Sequence, residues 1–448
     1  MRPPLHKIAA PLLSALLLIF SHSCNNGLSD LLELQRVIIP VRTEAELLDA
    51  IKNDGVVIGI LNNITLTSRV EIDAGKSITI TAFDRDVVLS GPSDNFSFFF
   101  IEWGALTLGN TRAKGMLILD GGERTRGYPL VNVEEILMTQ PASLFIHDHV
   151  IVKNNKNNDP GGGGGVYVKG GSFTMTGGTI CDNEAFCGGG VCVENGNFTM
   201  TGGRIFRNKA NSSTVYAESG GGVCIIGDSE FTMTGGTIED NEANYGGGVY
   251  VDAGSFTMAG GNIFKNKAFL SDPGSTEHGG GVYVTGGGSF SMTAGTMNRN
   301  EANRAGGVYV HNGTIAMNGG EISDNTGDNG GGGIIIMSSG SLILNGGTII
   351  NNRTDIGILK AGGGVIANGS FTMNGGTIKN NSAGDTGGGV FTNKSFIMNG
   401  GTITGNTATT TGGGIMVGGG SIGGLGLSGV WGNFAPPGIE NNFDPPYP

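Results

Sequence analysis

The residues of this chain whose types and spacing invite chemistry are few. His147 and His149 flank Asp148. On a strand both imidazoles would point one way, as metal ligands do, but no third ligand follows nearby. The alternative is a polar, exposed strand face. Cys181 and Cys187 flank one tight corner, while Cys192 and Cys224 each follow a glycine-corner valine. Disulfides Cys181–Cys187 and Cys192–Cys224 are one expectation. Bridging parallel neighbours directly strains the usual geometry, so four thiols are the other. Tyr167, Tyr250, Tyr283 and Tyr309 share the position of Cys192 and Cys224. Such an outward column stacks on sugar rings or covers the neighbouring corner. Thr174 and Thr176, Thr199 and Thr201, and Thr232 and Thr234 form a threonine array resembling ice-binding faces. Strand propensity alone explains it too, and it breaks at Ala259, with Asn318, Asn345, Asn374 and Asn399 in later coils. Asp84, Asp86, Asp120 and Glu123 lack the spacing of a glycan-cleaving carboxylate pair. No Lys-Ser/Thr follows the glycine-rich corners, so they are not phosphate loops. No catalytic group, metal or cofactor is expected.

The elements that position these residues repeat. Gly246–Asn266 reads GGGVYVDAGSFTMAGGNIFKN, and close copies run from about residue 161 to 417. Such a unit cannot bury its apolar face alone, and stacking copies is the solution. The corner valine, or its substitute, falls at Val166, Val191, Val223, Val249, Val282, Val308, Ile334, Val365, Val390 and Ile415. Phe173 and its counterparts are followed seven residues later by Ile180 and its counterparts. Three further on stand Asn183, Asn208, Asn241, Asn266, Asn300, Asn325, Asn352, Asn381 and Asn406, with Asn154 of Ile151-x-x-Asn154 as the first copy. The rigid Phe-to-Asn segment must hold register, because a one-residue slip turns every side chain over. The Asn-to-Val corner varies and opens into long excursions at Lys209–Ser219, Lys267–His278 and Arg353–Ala361.

Short strands with period-two alternation and no helix-length run indicate an all-β, right-handed parallel β-helix solenoid with coils of about 25 residues. Coils about 4.8 Å apart make the ten regular ones a rod of roughly 45–50 Å. The stacked asparagines are expected to form a side-chain amide ladder. Thr43, with Glu46 three residues on, starts a short capping helix whose Leu47, Ala50 and Ile51 share one face. The expected divisions are a signal segment at 1–24, a linker at 25–42, a cap and irregular coils at 43–160, regular repeats at 161–425, and a C-terminal cap and proline-rich tail at 426–448. Charges flanking the asparagines alternate from coil to coil: Asp182 and Glu184, Arg207 and Lys209, Asp240 and Glu242, Lys265 and Lys267. In a parallel stack opposite neighbours set coil order.

Composition and the N-terminus bound the function. Glycine and proline number 85 and 14 of 448 residues. The glycines are periodic, which favours order over disorder. A net charge of −12 argues against a nucleic-acid partner, which demands a basic stripe. Arg2 and Lys7 precede the apolar run Ile8–Phe20, too short to span a bilayer comfortably, and Ser21-His22-Ser23-Cys24 follows. The pattern predicts export. Either an ordinary signal peptidase cuts here, or Cys24 receives lipid at a relaxed lipobox in which Ser21 replaces the usual leucine. Export permits disulfides.

At GGGVYV…FTMTGGTIxxN the chain resembles right-handed parallel β-helix proteins of bacterial surfaces, and most of all the polymorphic outer-membrane-protein repeat family. Gly163-Gly164-Gly165-Val166 and Ile180-x-x-Asn183 correspond to that family's Gly-Gly-Ala-Ile and Phe-x-x-Asn motifs. The resemblance covers roughly residues 144–417. It implies an adhesin-like or passenger-like protein at the outer membrane or cell surface. The family's large members end in a membrane barrel, whereas Asn441–Pro448 is a short polar tail, so lipid on Cys24 or secretion is expected instead. The expected partner is a protein or glycan on another cell surface, with a membrane met only through the anchor. Pectate-lyase-like enzymes share the fold more remotely, which makes a polysaccharide lyase or glycoside hydrolase the competing reading.

Overall fold

The computed structural model describes residues 38–91, 96–110, 113–135, 141–159, 161–211, 219–268, 278–354, 361–424, 427–435, 439–440 and 443–444. The expected export segment with Cys24 and most of each long corner excursion lie outside them.

Alternation decides which residues enter the core. In the repeat Gly246–Asn266, Val249, Val251, Phe256, Met258 and Ile263 are inside and at most 1% exposed. Tyr250 and Thr257 point the other way on the same strands. Each coil lays down three sides, and every side stacks in parallel on its counterpart. Val249 pairs with Val282 and then Val308. Phe256 pairs with Phe290 and then Ile315. Ile263 pairs with Met297 and then Ile322. The fold is an all-β, right-handed parallel β-helix. Its one antiparallel pairing among the described residues joins Phe434–Ala435 to Ile439–Glu440. No described helix is long and apolar enough to cross a membrane.

The first coils look irregular in sequence but keep the same three columns. Val70, Phe99 and Val131 lead into Val166. Ile78, Leu106 and Leu144 lead into Phe173. Ile64, Leu89, Leu119 and Val152 lead into Ile180. Inside this stack Phe173, Phe198, Phe231, Phe256 and Phe290 lie face to face, with centroids 4.6–4.9 Å apart. Coil spacing itself imposes that distance.

Residues 25–42 are not all linker. Ile38–Val41 is a strand paired with Val57–Ile60. The capping helix, α1 (Glu44–Ala50), follows it. Thr43 Oγ1 accepts from the Glu46 N–H at 3.2 Å, and Glu46 Oε2 accepts from the Arg42 N–H at 2.6 Å. This capping box reaches one residue further back than usual. Leu47, Ala50 and Ile51 join the core, so the helix seals apolar surface at the end of the stack.

The charged corner behaves as its alternation implies. Arg207 forks onto Asp182 at 2.8 and 2.9 Å, Lys267 meets Glu301 at 2.9 Å, and Lys209 stands between Glu184 and Glu242 in register. Exposed pairs contribute about 0.2–1 kcal/mol each and weaken with salt. Reversing Arg207 and Lys209 to glutamate together is expected to lower the melting temperature by several degrees at low salt and by clearly less at 1 M salt. An equal drop at both salts would rule out the electrostatic role.

Candidate functional site

The recurring asparagines form a buried ladder. Each Oδ1 accepts from the backbone N–H of the preceding rung, as at Asn208 to Asn241, 3.0 Å, and at Asn241 to Asn266, 3.1 Å. The side-chain amide of the same rung donates to that oxygen as well, at 3.1 and 2.9 Å. It also donates to a carbonyl of the coil before, as Asn241 Nδ2 does to Ile205 O at 3.0 Å. The glycine corner exists partly for this ladder. A Cβ on Gly248 would stand 3.1 Å from Asn266 Nδ2 and 2.6 Å from the Gly281 carbonyl.

The first rung is Asn155 and not Asn154. Asn155 donates its N–H to Asn183 Oδ1 at 3.1 Å and is fully buried. Asn154 is left-handed, at φ 59°. It belongs to a second column, which Glu123 precedes at φ 58° and in which Asp182, Arg207, Asp240, Lys265, Arg299, Asp324, Asn351 and Asn380 precede the next rungs with φ of 51–56°. Each of these coils turns this corner through one left-handed residue, and asparagine tolerates that better than most residues. A final rung, Asn433, accepts from Asn406. Its Val430-x-x-Asn433 spacing repeats the pattern and was the signal available for it.

The expected cysteine pairings are replaced by another. Cys187 is bridged to Cys224, with Cα atoms 6.1 Å apart. Cys192 and Cys224 are indeed register neighbours, but Cys187 folds over them from the corner and takes the bond. Cys181 faces a different side; burial and then a hydrogen bond with Asp182 push its thiol up to about 12. His147 and His149 do not share a strand face. They sit around a corner where His149 is left-handed, at φ 65°, and His147 Nδ1 hydrogen-bonds the Thr176 hydroxyl at 2.7 Å. Asp86 accepts from the Met116 N–H, and Asp120 accepts from Gly122 and Asn154. These acids brace turns. The late asparagines of the threonine face form an exposed second ladder: Asn345 donates to Asn318, Asn374 to Asn345 and Asn399 to Asn374, at 2.7–2.9 Å.

The tyrosine column carries the most distinctive chemistry. Tyr250, Tyr283 and Tyr309 are 7, 8 and 2% exposed and stack at 5.4 Å with parallel rings. They belong to a second apolar strip outside the main core, continuous with the cysteines and with Ile335 and Ile366. Their faces are taken by one another, so sugar rings cannot lie flat on them. Their edges instead line a groove of about 580 Å³ together with Tyr245, His278, Asp252, Thr285, His311, Asn312 and Met337, a volume suited to a small ligand.

Three consecutive coils build this groove from three columns. Four residues before the corner valine stand Tyr245, His278 and Arg304, joined by parallel bridges. One after it stand the tyrosines. Three after it stand Asp252, Thr285 and His311. His278 stacks on Tyr309 at 4.2 Å, while Tyr245 leans over Tyr283 at 47°. Thr285 Oγ1 is 3.5 Å from His311 Nδ1. Burial raises the Asp252 carboxyl and the Tyr283 and Tyr309 phenols above their usual ranges. Elsewhere along this column the repeats hold Tyr167, whose hydroxyl donates to Glu194, and then cysteine, isoleucine, phenylalanine and Met416, so the run of three stacked tyrosines belongs to these coils alone among those described. Reading one column at a time hid it, because the signal is three columns changing together.

No curated protein and no solved structure matches the chain. Over residues 247–424, a span that includes most of the groove, the chain matches the family model described as right handed beta helix region.

Proposed function

We propose that the protein is an exported, non-enzymatic scaffold, held at the cell surface by lipid on Cys24, that binds a glycan of another cell in the Tyr245–His311 groove. The observation that carries this reading is the groove itself. It spans the three coils with stacked tyrosines, reaches Met337 of the next, and gathers phenol, imidazole, hydroxyl, amide and carboxylate groups on a rigid, partly apolar floor. Hydroxyl-rich ligands need such mixed donors and acceptors, and rigid backing lowers the entropic cost of binding. Asp252 is the one carboxylate lining it among the described residues, whereas glycoside cleavage by the usual route needs two at a set separation. The resemblance to bacterial surface repeats supports the adhesin-like setting, and the −12 net charge disfavours polyanionic glycans.

A glycan-array screen run beside reducing-end and unsaturated-product assays tests it. Binding of neutral or amine-bearing glycans without product is expected. Product formation would establish the lyase or hydrolase reading instead, and an array with no bound glycan would remove the glycan ligand.

A further inference from the structure

We propose that the reduced protein carries a three-sulfur site for a soft, three-coordinate metal ion of the copper(I) type, formed by Cys187, Cys192 and Cys224. Three of the four solenoid cysteines converge here. Cys192 and Cys224 sit in register on adjacent strands, and Cys187 reaches them from the glycine corner. All three are at most 1% exposed. Cys187 Sγ and Cys192 Sγ are 3.5 Å apart, and the three sulfurs all lie within 4.8 Å of one another. With metal–sulfur bonds of about 2.3 Å, a trigonal ion holds its sulfurs about 4.0 Å apart. That distance lies between the 3.5 Å separation of Cys187 and Cys192 and the 4.8 Å that bounds the set, so the bonded Cys187–Cys224 pair must move apart.

The donor set selects the metal. The group holds no histidine or carboxylate among the described residues, and its surroundings are apolar. Structural zinc takes four ligands, which this cluster does not supply. Thiolate-only sites favour soft ions, copper(I) foremost. The disulfide Cys187–Cys224 must open first. A phosphine reductant does this: it gives two electrons and becomes the phosphine oxide with oxygen from water, while each sulfur gains a proton. The ion then displaces thiol protons into the buffer, so binding tightens as pH rises.

The test is copper(I) competition against a chromogenic chelator, with phosphine-reduced protein and folding followed by circular dichroism. Reduced wild type and Cys181→Ser are expected to retain one ion per chain. Cys192→Ser should bind more weakly by over about 100-fold, since losing a direct ligand exceeds the loss of an outer-shell partner. The oxidised protein should retain none. The proposal fails if the folded, reduced wild type leaves all copper with the chelator, if Cys192→Ser binds as tightly as wild type, or if reduction itself unfolds the coils that hold the triangle.

Discussion

Asn241→Ala is expected to destabilise the solenoid by roughly 3–5 kcal/mol, read from urea denaturation midpoints. The side chain sits inside the ladder with rungs on both sides and is fully buried. It accepts from the Asn208 N–H and side-chain amide, and it donates to Asn266 Oδ1 and Ile205 O. Alanine removes all four bonds. It leaves the Asn208 N–H without its partner and takes one bond each from the Asn208 side-chain amide, which keeps Ile180 O, and from the Ile205 carbonyl, in a site closed to water where an orphaned group costs about 1–3 kcal/mol. Asn399→Ala provides the contrast. Asn399 belongs to the second, exposed ladder, where water replaces the lost partner, and a cost below about 0.5 kcal/mol is expected. Equal effects at the two sites would show that burial of the ladder does not matter.

Phe256→Ala is expected to cost a comparable 3–5 kcal/mol. Phe256 is 1% exposed and lies between Phe231 at 4.6 Å and Phe290 at 4.9 Å. The register-locked coils above and below cannot collapse into the vacated space, because their backbones are fixed by pairing on every side. Thr257→Ala, one residue along and facing outward, should change stability by no more than about 0.5 kcal/mol. A Phe256→Ala midpoint close to that of Thr257→Ala would mean that the phenylalanine stack is not the core of the coil.

The solenoid was legible because its causes are local and repeated. Phe256, Ile263 and Asn266 recur with fixed spacing among themselves, and a fixed spacing in sequence becomes a set of columns in space. The Asn154 assignment erred by one because Ile151-Val152 and Asn154-Asn155 fit the spacing equally well. Only the left-handed turn at Asn154 separates the two registers, and periodicity does not carry backbone handedness. The first coils hid their regularity for a related reason. Val70, Phe99 and Val131 occupy one column but sit among turns of unequal length. The Cys187–Cys224 bond depends on how a corner folds back over its own strand, and repeat position cannot show that. The groove was half legible: the tyrosine column was visible in sequence, but the flanking Asp252, Thr285 and His311 column acquires meaning only when three coils are set side by side.

The claim that this groove is a ligand site is tested most directly by calorimetric titration of an array-selected oligosaccharide into wild type, Asp252→Ala and His311→Ala. Both side chains line the groove and neither belongs to the main core, so both variants should fold and melt as wild type does. The account predicts one site in wild type, affinity reduced about tenfold or more in each variant, equivalent to about 1.4 kcal/mol, and no heat of turnover. Equal affinity in all three proteins would contradict it.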